Sequence, residues 1–103
     1  MVASVIGIPV LAGNGDSVMT KVKYYEMFGG YDHPVKLIGE IKEAEASARR
    51  TYIKATYENN LLLEVEKYLD GKIFFTYRYT YSGGKLDGIY ITNDEQDTKF
   101  VKP

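Results

Sequence analysis

From Thr51 onward the chain alternates with a period of two, broken only by pairs of turn-forming residues, and this pattern restricts the fold more than any other feature. Over residues 51–58, Tyr52, Lys54 and Thr56 fall on one side and Ile53, Ala55 and Tyr57 on the other. That is the alternation of an extended strand and not of a helix. Asn59-Asn60 follows, then a strand at 61–69, Asp70-Gly71, a long aromatic strand at 72–81, Gly83-Gly84, and a strand at 85–92. Asn, Asp and Gly tolerate the positive φ that tight hairpin turns demand, and Asp-Gly is the strongest such signal in the chain. A polar turn at 93–97 and a short strand at 98–101 complete a meander of consecutive hairpins.

The first half is less regular. Residues 2–11 are apolar and β-branched, with Pro9 demoting them to an edge or irregular strand, and residues 12–16 form a flexible turn. The segment 1–18 is expected to be a flexible or edge-strand extension, with 19–103 as the single domain. Residues 18–28 read as a strand and Gly29-Gly30-Tyr31-Asp32-His33-Pro34 as a loop. Residues 39–50 (GEIKEAEASARR) are the helical window: good helix formers, acids first, Arg49 and Arg50 last, and Ile41, Ala44 and Ala48 on one thin apolar face. The expected fold class is α+β: an antiparallel β-meander sheet of five to six strands with one short helix packed on it.

Composition narrows the function classes. The chain has 13 Lys+Arg against 14 Asp+Glu, so it lacks the basic excess that neutralises phosphates, and no nucleic-acid partner is expected. It has no cysteine, which excludes disulfides, thiolate metal sites and a thiol nucleophile and leans toward a reducing, cytoplasmic location. No apolar run approaches the roughly 18 residues of a membrane span. The apolar N-terminal stretch lacks the basic flank of a signal peptide, so neither membrane nor export is expected.

The tyrosine, turn and leucine layout of Tyr57-Glu58-Asn59-Asn60-Leu61-Leu62 recurs at Tyr81-Ser82-Gly83-Gly84-Lys85-Leu86. Together with Asp70-Gly71 and Tyr77-Arg78-Tyr79-Thr80-Tyr81, it resembles the tyrosine-rich hairpins of Rhs/YD-repeat proteins, with Asn59-Asn60-Leu61 and Gly84-Lys85-Leu86 standing where those have a Gly-Arg-Leu step. From Met27-Phe28-Gly29-Gly30-Tyr31 through Tyr68-Leu69-Asp70-Gly71-Lys72 the chain is also similar to a family of small uncharacterised bacterial proteins. These resemblances imply a compact β-hairpin domain and transfer no functional residue.

The candidate chemistry is sparse. His33 is the only histidine, and beside Asp32 in a glycine-rich loop it fits a hydrogen-bonding loop residue better than a general base. Glu64 and Glu66 share one strand face, and a carboxylate pair about 5–9 Å apart can cleave glycosides. Lys54, Lys67 and Lys72 are at hand to make them an ordinary charged face. The acidic turn Asn93-Asp94-Glu95-Gln96-Asp97 lacks the glycine and distant glutamate of a calcium loop. No catalytic, metal or cofactor site is expected.

The aromatic strand carries the binding expectation. Phe75, Tyr77, Tyr79 and Tyr81 share one face and Arg78 lies on the other. Tyr52, Tyr68 or Tyr90 from neighbouring strands would extend the row into a platform, its rings apolar and its hydroxyls polar. The competing reading makes the same rings a shallow core under the helix. The expected function is a non-enzymatic protein-binding module, of the inhibitor or immunity type, that occludes a partner through Phe75, Tyr77, Tyr79, Tyr81, Arg78, Tyr68 and Tyr90. The alternative is a small-ligand or carbohydrate binder using the same rings. A homodimer through sheet edges or the N-terminal segment is a further expectation.

Overall fold

The computed structural model describes residues 19–30 and 32–103. The expectations for segment 1–18 lie outside the described residues. Seven strands and one helix follow in order: β1 (Thr20–Gly29), β2 (Lys36–Ile41), α1 (Glu43–Ser47), β3 (Thr51–Glu58), β4 (Leu61–Leu69), β5 (Lys72–Ser82), β6 (Lys85–Thr92) and β7 (Thr98–Val101). They form one sheet in the order β2-β1-β3-β4-β5-β6-β7, antiparallel at every step.

The second half follows the expected meander because its turns have the required chemistry. Asn59 and Asn60 (φ 52° and 68°), Asp70 and Gly71 (52° and 79°), and Gly83 and Gly84 (59° and 81°) all occupy the left-handed region. Two adjacent left-handed residues define the turn whose twist matches the flanking strands. Each hairpin also has a register shift, at Thr56/Tyr57, Lys67/Tyr68 and Thr80/Tyr81. Such bulges bend and twist the sheet.

The first half corrects the expectation. The sheet has seven strands, not five to six, and the added one is β2, which occupies the start of the expected helix. Gly39, at φ 75°, sits opposite Glu26 in the β1–β2 register, and a Cβ there would lie 2.8 Å from Glu26 Oε1. Pairing with β1 overrides the helix propensity of Glu40 and Ile41, a case of tertiary context outweighing a weak local preference. The helix shrinks to Glu43–Ser47 and buries Ala46 beside β1 and β3.

β1 is longer than its place in the sheet. Thr20–Tyr25 pair with β3, whereas Tyr24–Gly29 pair with β2. The far half of β1 and all of β2 therefore form an arm that folds over one sheet face. Phe28 on this arm reaches Phe75 and Tyr77 on β5, three strands away, at centroid distances of 5.8 and 6.1 Å. Beneath the arm lies the core: Tyr25, Val35, Ile53, Ala55, Leu62, Val65, Tyr79 and Ile89, with Phe28, Leu37, Tyr77, Tyr81, Leu86 and Ile91 packed around it. Ile53, Ala55 and Val65 are fully buried. On the other face, α1 packs at the Tyr24 end, against β1 and β3.

Candidate functional site

The sequence-expected platform divides between the two faces. Tyr77 stands opposite Val65 and Ile91, and Tyr79 opposite Ile89, so the row of Phe75, Tyr77, Tyr79 and Tyr81 shares its face with the core. The arm closes over it, and Tyr79 is 2 % exposed. The cover is the β1–β2 arm and not the helix. Arg78, Tyr68 and Tyr90 belong to the opposite face, as do Tyr24 and Tyr52. One continuous surface of all seven expected residues is not formed, because strand alternation sends residues 77 and 78 to opposite sides.

Four of the covered tyrosines close their hydroxyls on partners. Tyr25 and Tyr57 bond each other at 3.0 Å, and Tyr81 donates to the Leu62 carbonyl at 2.6 Å. The Tyr79 hydroxyl accepts the Val35 N–H at 3.1 Å and lies 2.8 Å from His33 Nδ1. Burial pushes the Tyr79 phenol up to about 12, opposed by the Val35 amide. His33 is thus a loop residue bonded to the sheet, its ring 5.1 Å edge-on from Tyr77.

The open face has a different order. At one end, Tyr52 and Tyr68 pair across β3 and β4 with rings 4.8 Å apart and 4° from parallel, and Tyr24 on β1 tilts against Tyr52 at 6.1 Å. The Tyr24 hydroxyl approaches Glu43 of α1 at 3.5 Å. At the other end, Tyr90 on β6 and Phe100 on β7 are cross-strand partners with centroids 5.0 Å apart. Phe100 lies over Gly88, which a Cβ would bring to 2.7 Å from the ring. Sequence reasoning missed Phe100 as a surface residue, although a glycine inside a strand signals just such a close approach.

Charged residues separate the two aromatic ends. Lys54 stands opposite Glu66, and Glu64 opposite Arg78, whose Nε is 3.8 Å from the Glu64 carboxylate. The carboxylate pair therefore has cross-strand cations, Lys54 as expected and Arg78 in place of Lys67 and Lys72. Burial and then Glu64 raise the Glu66 carboxyl above its ordinary value, against the opposing pull of Lys54. Burial and then Glu66 likewise raise the Tyr68 phenol.

The acidic turn has a structural account. Asn93 Oδ1 accepts the backbone amides of Glu95 and Asp97 at 2.9 and 3.0 Å, a side-chain-closed turn. Among the described residues, no three His, Asp or Glu side chains gather as a metal site, and no helix is long and apolar enough to cross a membrane.

A single antiparallel sheet with one face packed under its own hairpin arm and the other carrying aromatic clusters among charges defines a small single-layer β protein. The chain belongs to a family of unknown function (DUF6156), whose profile matches residues 17–102. No curated protein and no solved structure matches it.

Proposed function

We propose that the protein is a non-enzymatic binding module that occludes a protein partner through the open sheet face, with Tyr24, Tyr52, Tyr68, Arg78, Tyr90 and Phe100 as its contact residues. The observation that supports this most is the parallel stack of Tyr52 on Tyr68, 4.8 Å apart, on the face that the β1–β2 arm leaves open. Rings held by each other lose little further freedom on binding, and Tyr and Arg at the centre of a contact surface contribute most to protein–protein affinity. The same geometry disfavours the carbohydrate alternative. A sugar stacks on a free ring face, whereas Tyr52 is stacked on Tyr68 and has Tyr24 tilted against it.

Among protein-binding roles, the inhibitor or immunity type rests on the resemblance of the hairpins to Rhs/YD repeats, an association and not a mechanism. A cytoplasmic location belongs to the same proposal and rests on the lack of cysteine. The test is photo-crosslinking in host lysate with p-benzoylphenylalanine placed at Tyr68, at Tyr90 or at Tyr81. The expected result is one shared adduct from Tyr68 and Tyr90 and none from Tyr81. Equal labelling from all positions, or none from any in folded protein, overturns the reading.

A further inference from the structure

The loop at residues 32–35 meets the sheet at the Tyr79 hydroxyl, with Val35 in the core and the His33 ring against Tyr77. Tyr79 Oη, on a residue 2 % exposed, meets the Val35 N–H at 3.1 Å and His33 Nδ1 at 2.8 Å. A backbone amide can only donate, so the phenol oxygen accepts from Val35. The hydroxyl then has one hydrogen left to place, and His33 Nδ1 is the group that accepts it. This assigns the neutral imidazole with its proton on Nε2.

We propose that this loop is an acid-released latch: protonation of His33 at Nδ1 removes the acceptor of the Tyr79 hydroxyl and frees the arm end from the aromatic row on β5. A protonated imidazole presents only donors. Tyr79 would then accept from both His33 and Val35, with its own hydrogen left unpaired in a buried site, and the closed loop becomes the costlier state. Loops held by few bonds are the parts of a fold that open first. Opening exposes Tyr77 and Tyr79, the centre of the row the sequence had marked as a binding surface, without breaking the strand pairs around Ile53 and Val65.

The surroundings of His33 support the direction. Tyr77 and Tyr79 face it from β5, and Asp32 faces it from its own loop. Lys36, at the start of β2, lines a surface hollow with Asp32 and Pro34. Burial lowers the proton affinity of His33 and outweighs the opposing charge of Asp32. The latch is therefore closed at and above 6.5, the ordinary histidine value, and releases below it. The device is independent of what the open face binds.

The test is a titration from pH 8 to pH 4 of the full chain labelled with nitrogen-15, followed by NMR. The expected result at pH 8 is the Nε2–H tautomer at His33. On acidification, one midpoint below 6.5 is expected for the imidazole, the Val35 amide and the Tyr79 ring, with the amides of Ile53 and Val65 unmoved. Solvent exchange of the Val35 amide, corrected for intrinsic rate, should rise roughly tenfold across that midpoint, about the effect of one lost hydrogen bond. His33→Asn, whose side-chain oxygen can accept from Tyr79 but does not titrate, should keep the loop closed at every pH. Tyr79→Phe should raise the His33 midpoint and leave the Val35 amide in its open form even at pH 8. A wild-type titration of His33 that leaves Val35 and Tyr79 unchanged overturns the latch, and so does a His33→Asn protein that still opens with acid. The wild-type result decides even if a variant fails to fold.

Discussion

The two faces of this sheet draw on the same residue type and use it in opposite ways. Tyr25, Tyr57, Tyr77, Tyr79 and Tyr81 lie on the covered face, where the hydroxyls of Tyr25, Tyr57, Tyr79 and Tyr81 close onto each other, a carbonyl, an amide or an imidazole. Tyr24, Tyr52, Tyr68 and Tyr90 lie on the open face, where ring meets ring and charged residues fill the space between. Burial of a polar tip demands a partner for it, whereas a half-exposed ring can leave its hydroxyl to solvent. Tyrosine can therefore serve as core on one side and as contact surface on the other. The difference is set by which face the β1–β2 arm covers, and not by any difference in local strand chemistry.

If that division is right, truncation should cost far more on the covered face. Ile53 is fully buried, and Ile53→Ala should destabilise the domain by about 2–5 kcal/mol, the range for large-to-small core changes. Thr76→Ala, on the open face between Glu66 and Thr92, should stay within about 0.5 kcal/mol. Urea unfolding followed by circular dichroism measures both. Similar losses at the two sites would mean that the open face is packed against something and is not a free surface.

A second comparison sharpens the open face itself. Gly88 is buried on that face because the Phe100 ring and Thr80 Oγ1 lie over it. Gly88→Ala places a methyl 2.7 Å from the ring and 2.9 Å from the hydroxyl, so the ring must swing away from Tyr90. The expected loss is about 1–3 kcal/mol, as for other overpacked sites. In a Phe100→Ala background the same substitution should cost less, because its main obstacle is gone. A double-mutant cycle reads this coupling directly, and strict additivity would show that Phe100 does not rest on Gly88 in solution.

How much of this was legible beforehand follows from what each feature depends on. β3 to β7 were readable to within a residue because alternation and turn pairs are local signals: Asn59-Asn60, Asp70-Gly71 and Gly83-Gly84 each supply two left-handed residues whatever the rest of the chain does. β2 was not readable. Leu37-Ile38-Gly39-Glu40-Ile41 has strand character only through its partner β1, and helix formers follow directly. The candidate site was half legible. Alternation correctly separates Tyr77 from Arg78, but which side faces the core depends on where the arm folds, and that contact runs from Phe28 to Phe75 across the sheet. Non-local contacts of this kind leave no periodic trace in the sequence. The bond from His33 to Tyr79 is hidden for the same reason.

The smallest predicted effect separates the faces by their response to pH. Glu66 on the open face has its carboxyl raised above the ordinary 4.5, first by burial and then by Glu64. The folded state then holds that proton more tightly than the unfolded chain does. Stability from this group is present at low pH and declines as pH rises from about 4.5 through the raised value. His33 on the covered side has the opposite sign: its proton affinity is lowered on folding, so its contribution is present above 6.5 and is lost as pH falls. Glu66→Gln should therefore stabilise the protein at pH 7, by no more than about 0.5 kcal/mol because the group is part-exposed and screened. It should also remove the decline above 4.5 while leaving the acid-side loss from His33 in place. Melting temperatures of wild type, Glu66→Gln and His33→Asn from pH 4 to pH 8 test both slopes. A Glu66→Gln protein less stable at pH 7 would mean that attraction to Lys54 outweighs burial and the repulsion from Glu64. The charged stripe of the open face would then be a closed network of its own, with little unmet charge to offer a partner.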